Sequence, residues 1–246
     1  MNQDKKASLI GHLEEARRRL LRSLIAVGVG IAVSFPLAPY VFDFLKSRAQ
    51  GIALIYTNVT GMIGTYMKVA LYCGITLALP FIIYELVMFL NPALKSKEKK
   101  YLCLLLPAVV IFFALGVSFA YSILLPPALN FLLTFGGDIA RPLITVGNYV
   151  SIIIRLLFSL GLVFEIPVVI FFLSKMGIVT PGWLAKNRKF ALIVAFILGA
   201  AITPTIDPIN QTLVAAPIIV LYEVSIWLSK LAQPKERASA PPRVPQ

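Results

Sequence analysis

The chain has 246 residues, 59% of them hydrophobic and 14% charged, with a mean hydropathy of +0.86. No ordinary soluble composition reaches these values, so the sequence reads as an integral membrane protein. The formal charge of +12 would point to nucleic acid if the cations formed one face or stripe; they fall instead in clusters between apolar runs, which excludes that partner.

In chain order, the opening MNQDKK followed by RRRLLRSLIAVGVG has the charge-then-apolar order of a signal peptide. No clear A-x-A follows it, so an uncleaved first span is expected. Just before that span, Leu9, Leu13, Ala16 and Leu20 recur at helical spacing beside Glu15, Arg18 and Arg19, which predicts an amphipathic helix entering the membrane from its surface. Measured against the roughly 20 residues that cross about 30 Å of hydrocarbon, the apolar runs predict six spans, near 20–38, 66–90, 102–124, 149–173, 190–203 and 211–228. Only a continuous helix satisfies its own backbone in lipid, so the fold class is an all-α bundle. Pro80, Pro107, Pro167 and Pro217 lie within four of the spans and predict a kinked, cupped bundle. The fifth span would reach only about 20 Å, short enough to demand local bilayer thinning or shielding by protein. Residues 1–231 thus form one transmembrane domain, and the Pro-rich, charged tail 232–246 is predicted to be disordered. Cys73 and Cys103 sit inside apolar runs and read as small buried hydrophobes.

Eighteen of the 23 Lys and Arg residues fall in the N-terminal segment, the loop after span two, the loop after span four with its flanks, and the tail. All lie on one side of a six-span arrangement, so the positive-inside rule predicts both termini in the cytoplasm. External loops are then expected near 39–65, 125–148 and 204–210.

Glu85 and Glu165 are the acids placed within spans. A charge at mid-bilayer costs about 2.5–3.5 kcal/mol on insertion scales and normally faces a partner or a wet cavity. Arg155 lies ten residues before Glu165, roughly 15 Å along a helix, so an intrahelical pair is out of reach. Glu165 is therefore either neutral, or partnered from another helix, by water or by another protein. Glu85, near the end of its span, reads as a structural or snorkelling group. Glu15 has Arg18 and Arg19 at i+3 and i+4, and Glu98 is surrounded by lysines in KSKEKK. Each is either a solvated surface ion pair or a carboxylate that accepts a guanidinium in a bidentate fork, which separates arginine from lysine by geometry. The single histidine, His12, reads as a plain interfacial side chain. No nucleophile elbow, P-loop, H-E-x-x-H motif or paired intramembrane aspartates occur, so neither an enzyme nor a metal or cofactor site is expected.

Six blocks, in this order and spacing, carry a resemblance: HLEEARRRL (12–20), NPALKSKEKK (91–100), FAYSILLPPALNFL (119–132), FEIPVVI (164–170), MGIVTPGWLAKNRK (176–189) and TPTIDPINQTLVAAPIIVLYE (203–223). Over nearly all of 8–231 the chain resembles the TatC family, the multispanning receptor subunit of the twin-arginine protein translocase. The resemblance implies a receptor in a bacterial cytoplasmic (inner) membrane that binds the twin-arginine signal peptides of folded proteins, with export driven by the proton gradient. It implies that Glu15 and Glu98 bind the two signal arginines. It implies too that Glu165 lines a concave, membrane-facing surface and contacts TatA- or TatB-type single-span partners, with Gln211 nearby, and that the protein self-associates in a receptor complex. Lys95 replaces the family's usual tyrosine, Tyr84-Glu85-Leu86-Val87 replaces Y-Q-x-W, and TPTID carries one extra residue. The competing expectation is a proton-coupled small-solute secondary transporter with Glu165 as its relay. It predicts that Glu165 alone is indispensable.

Overall fold

The computed structural model describes residues 3–47, 54–56, 60–90, 99–134, 143–203 and 207–232. Glu98, Lys95 and the tail from 233 lie outside the described residues, as do the side chains of His12 and Cys103. In chain order, α1 (Gln3–Ser34) runs through a 3-10 turn (Phe35–Leu37) into α2 (Ala38–Lys46), and β1 (Leu54–Ile55) follows. Next come α3 (Gly61–Leu90), α4 (Lys99–Phe119), a π turn (Ala120–Leu124) and α5 (Leu125–Thr134). β2 (Ile144–Thr145), α6 (Val146–Lys175), α7 (Pro181–Lys186), α8 (Arg188–Ile202) and α9 (Pro208–Ala232) complete the chain.

Among the described residues, five helical segments are long and apolar enough to cross a membrane: Leu13–Lys46, Gly61–Phe89, Leu104–Leu132, Val146–Lys175 and Pro208–Ala232. Among the described residues, α8 is the helix nearest to a sixth, with 15 residues and a length of about 22 Å. Two segments outrun their sequence-based limits, for one reason. Pro36 and Pro39 fall in the 3-10 turn and in the first turn of α2, where a missing N–H breaks no α-helical bond, so the first span bends and continues. Pro126 and Pro127 open α5 directly after the π turn, in which the Leu125 amide donates to the Ala120 carbonyl; the widened turn absorbs the donors that proline removes. The N-terminal segment is the first part of α1, which is continuous from Gln3 to Ser34. Pro80, Pro107, Pro167 and Pro217 all lie inside helices, in α3, α4, α6 and α9.

The regions read as external loops hold more order than expected. β1 pairs in parallel with β2, Leu54 opposite Ile144 and Ile55 opposite Thr145, tying the segment before α3 to the start of α6. Thr145 then caps α6, its Oγ1 accepting from the Asn148 amide at 3.3 Å.

The core is organised around α6. Tyr149, Val150, Ile153, Leu157 and Leu160 are buried against residues of α2, α3, α5, α8 and α9, including Leu45, Val69, Leu125, Ala195 and Val214. A second cluster joins α3, α4 and the far half of α6 through Ile83, Val87, Leu105, Val109, Phe113 and Phe172. Large apolar side chains remain exposed along the outer faces, among them Leu24, Val29, Met67, Val110 and Ile197. Lipid, which is as apolar as they are, solvates such faces without penalty. The sharp exit from α6 depends on Gly177, at φ 76°. The Ile178 amide there donates back to the Leu173 carbonyl at 3.0 Å, a C-terminal closure that needs a left-handed residue.

Candidate functional site

The basic stretch of α1 and the last turns of α3 carry a four-residue charge network. Arg19 lies one turn after Glu15, so the two face the same side of α1. Its Nε and Nη2 both donate to Glu15 Oε1, at 3.0 and 2.7 Å. Its Nη1 donates across to Glu85 Oε2 on α3 at 2.8 Å. Glu85 Oε1 in turn faces Arg22 Nη1 at 3.7 Å. One guanidinium thus bridges two carboxylates on different helices. The sequence reading of Glu85 as a structural acid near a helix end is sharpened: its side chain is only 5% exposed, and each oxygen faces a cation, as a buried carboxylate requires.

The register that brings these groups together is set by glycine. A Cβ on Gly30 would stand 2.4 Å from the Gly74 carbonyl oxygen, and one on Gly74 2.5 Å from the Ile31 amide nitrogen. Backbones can approach this closely only where neither residue has a side chain. Gly30 lies eleven residues after Arg19 and Glu85 eleven after Gly74, so antiparallel packing through the glycine contact puts Arg19 opposite Glu85, roughly 16 Å farther along.

The two sides of the network differ in access. Glu85 is enclosed, whereas the Glu15 side chain is 32% exposed; its Oε1 takes both Arg19 contacts, and Oε2 has no hydrogen-bond partner among the described residues. A cleft of about 340 Å³ lies over this face of α1, lined by Gly11, Glu14, Glu15, Arg18, Arg19 and Arg22. Such an arrangement can hold a further cationic group at the half-open carboxylate.

Glu165 is buried in the middle of α6, 4% exposed, and neither carboxylate oxygen has a hydrogen-bond partner among the described residues. The Phe113 backbone on α4 approaches it without reaching hydrogen-bonding geometry. Arg155 is exposed on the same helix and makes no ion pair with it. Gln211 stands elsewhere: its Nε2 donates to the Phe196 carbonyl at 3.0 Å, joining α8 to α9. Ser174 and Ser229 hydroxyls meet at 2.6 Å and fix the parallel register of α6 and α9. In that register Gln211 is level with about residue 156, roughly 14 Å from Glu165 along the axis, so the two do not share one polar site. Near the basic end, Arg188 on α8 forks onto Glu223 on α9 with contacts of 2.8 and 2.9 Å, and the Tyr222 hydroxyl donates to the Leu184 carbonyl of α7 at 2.9 Å.

Residues 11–217 match the family model described as Sec-independent protein translocase protein (TatC). The chain belongs to the TatC family. Among its relatives, the Sec-independent protein translocase protein TatC of Carboxydothermus hydrogenoformans is 42% identical over 95% of this chain and 97% of its own length. The TatC of Aquifex aeolicus is 39% identical over 93% and 97%. The chloroplastic TATC of Pisum sativum is 32% identical over 93% of this chain and 65% of its own. A solved structure described as the crystal structure of the twin-arginine translocase receptor TatC superposes with a TM-score of 0.77 at 39% identity, covering 90% of this chain and 99% of that one. The chain is thus a multi-spanning membrane component of a protein-transport family.

Sequence reasoning located Glu15 and its i+4 partner but missed that Arg19 also reaches Glu85. Helical spacing signals the first pair. The second links residues 66 positions apart, and only the Gly30 and Gly74 positions in the sequence hint at it.

Proposed function

We propose that the protein is the receptor subunit of a twin-arginine translocase in a bacterial cytoplasmic membrane, with six spans and both termini in the cytoplasm. In this reading α8 is also a span, the fifth in chain order, short because α6 and α9 shield it. Glu15 and Glu98 at the cytoplasmic rim each take one guanidinium of a twin-arginine signal peptide, and the signal's apolar segment then lies along the bundle. Two shallow, wet forks supply about 1–3 kcal/mol each, so avidity from the apolar segment completes the affinity. Glu165, enclosed in the single chain, meets a polar group of a TatA- or TatB-type helix on assembly, Gln211 braces α8 against α9, and several copies associate in the receptor complex. The proton gradient drives export.

The observation that carries this reading is the half-open Glu15 carboxylate at the basic end of α1 in a chain of this family. Cross-linking tests it. A peptide with two arginines should label positions near Glu15 and Glu98 in isolated membranes, and one with two lysines should not. Equal labelling by both would refute the reading. The transporter alternative draws on the buried Glu165, which has no hydrogen-bond partner among the described residues, and predicts instead that Glu165→Gln alone abolishes function while changes at Glu15 and Glu98 are tolerated.

A further inference from the structure

We propose that Arg19 is a built-in occupant of the Glu15 carboxylate, which an incoming signal guanidinium displaces, and that Glu85 is the positioning residue that retains Arg19 when this happens. The proposal rests on the receptor reading above and specifies how its site opens.

A bidentate fork needs both oxygens of a carboxylate. Glu15 offers one, because Arg19 Nε and Nη2 converge on Oε1 at 3.0 and 2.7 Å. A second arginine can form the full fork only if Arg19 leaves. Ordinarily such a departure strands a guanidinium in a partly enclosed place, and Arg19 is only 17% exposed. Here Nη1 is already bonded to Glu85 Oε2 at 2.8 Å, so Arg19 can give up Glu15 without losing its counter-charge. After the exchange Glu15 holds the arriving guanidinium and Glu85 holds Arg19, so each carboxylate keeps a guanidinium partner. A lysine ammonium, a point charge with no fork, replaces one contact and not two, so it displaces Arg19 less well. The exchange therefore adds to the preference for arginine.

Two substitutions in one network should act in opposite directions, which a merely structural role would not produce. The full-length protein in nanodiscs is titrated with fluorescent signal peptides carrying two arginines or two lysines, with Glu15→Gln as the control. Arg19→Gln removes the occupant and should tighten the two-arginine peptide about two- to fivefold, the range set by partly exposed ion pairs, while widening its margin over the two-lysine peptide. Glu85→Gln leaves Arg19 with Glu15 alone and should weaken the two-arginine peptide by a similar factor. Arg19→Lys keeps the charge and the fold but cannot bridge both acids, and should tighten binding by a smaller factor. If wild type prefers two arginines and loses that preference in Glu15→Gln, yet Arg19→Gln and Arg19→Lys weaken binding or leave it unchanged, the displacement is wrong and the receptor reading stands. If wild type binds both peptides equally, the receptor reading falls and this inference with it.

Discussion

Gly74→Ala tests whether the glycine crossing holds the α1–α3 network in register. The new Cβ would lie 2.5 Å from the Ile31 nitrogen and 2.6 Å from its Cα and Cγ1. Ordinary contact begins near 3.4 Å, and the obstacle is backbone, so α1 must retreat by about 0.9 Å. Overpacking of this kind costs about 1–3 kcal/mol. A stiff helix carries part of the retreat along its length, and the 2.8 Å contact between Arg19 and Glu85 lengthens past hydrogen-bonding range if α1 moves as a body. Thermal unfolding in detergent should show the midpoint falling by several degrees, at about 2–4 °C per kcal/mol. Gly64→Ala, on the same helix with nothing within 4 Å of its Cβ, should be neutral or up to about 1 kcal/mol more stable. A Gly74→Ala protein as stable as wild type, with its Arg19–Glu85 pair intact, would refute the packing argument.

Other outcomes follow from single contacts. Ser229→Ala removes the buried partner of Ser174 and should cost about 0.6–1.7 kcal/mol, the range for hydrogen bonds between membrane helices; an unchanged denaturation midpoint would mean the pair contributes nothing. Gln211→Ala frees the Phe196 carbonyl and should speed hydrogen exchange in the last turns of α8 relative to α6, with uniform exchange counting against the brace. Glu165→Gln keeps the shape of a side chain that makes no hydrogen bond among the described residues. It should leave signal-peptide affinity within about twofold while lowering export in membrane vesicles, and loss of peptide binding would remove Glu165 from its assigned place.

Much of this fold was legible because lipid imposes a length rule on apolar runs, and α3, α6 and α9 satisfy it directly. The boundaries of the first and third segments were not. Pro36, Pro39, Pro126 and Pro127 look like terminators in sequence, yet the first pair occupies turns that need no α-helical donor from them and the second pair follows a π turn whose widening accommodates the lost donors. The pairing of β1 with β2 was invisible, since two-residue strands have no periodicity. At the candidate site, Glu15 with Arg19 is a helix-local relation and readable, whereas Arg19 with Glu85 depends on a register that two glycines set sixteen ångströms away. Glu165 announced itself as an acid in an apolar run. That Gln211 belongs to a different contact required the relative register of α6 and α9, which Ser174 and Ser229 reveal only in three dimensions.

The most direct test of the whole account is the affinity of two-arginine and two-lysine signal peptides for the wild-type protein and for Glu15→Gln and Glu98→Gln. With Glu15 about one-third exposed, its fork should be worth about 1–2 kcal/mol, or roughly five- to thirtyfold in Kd. The account predicts a loss of that size for the two-arginine peptide in each variant and little change for the two-lysine peptide. Equal affinity of wild type for both peptides, unaltered by either substitution, would contradict it.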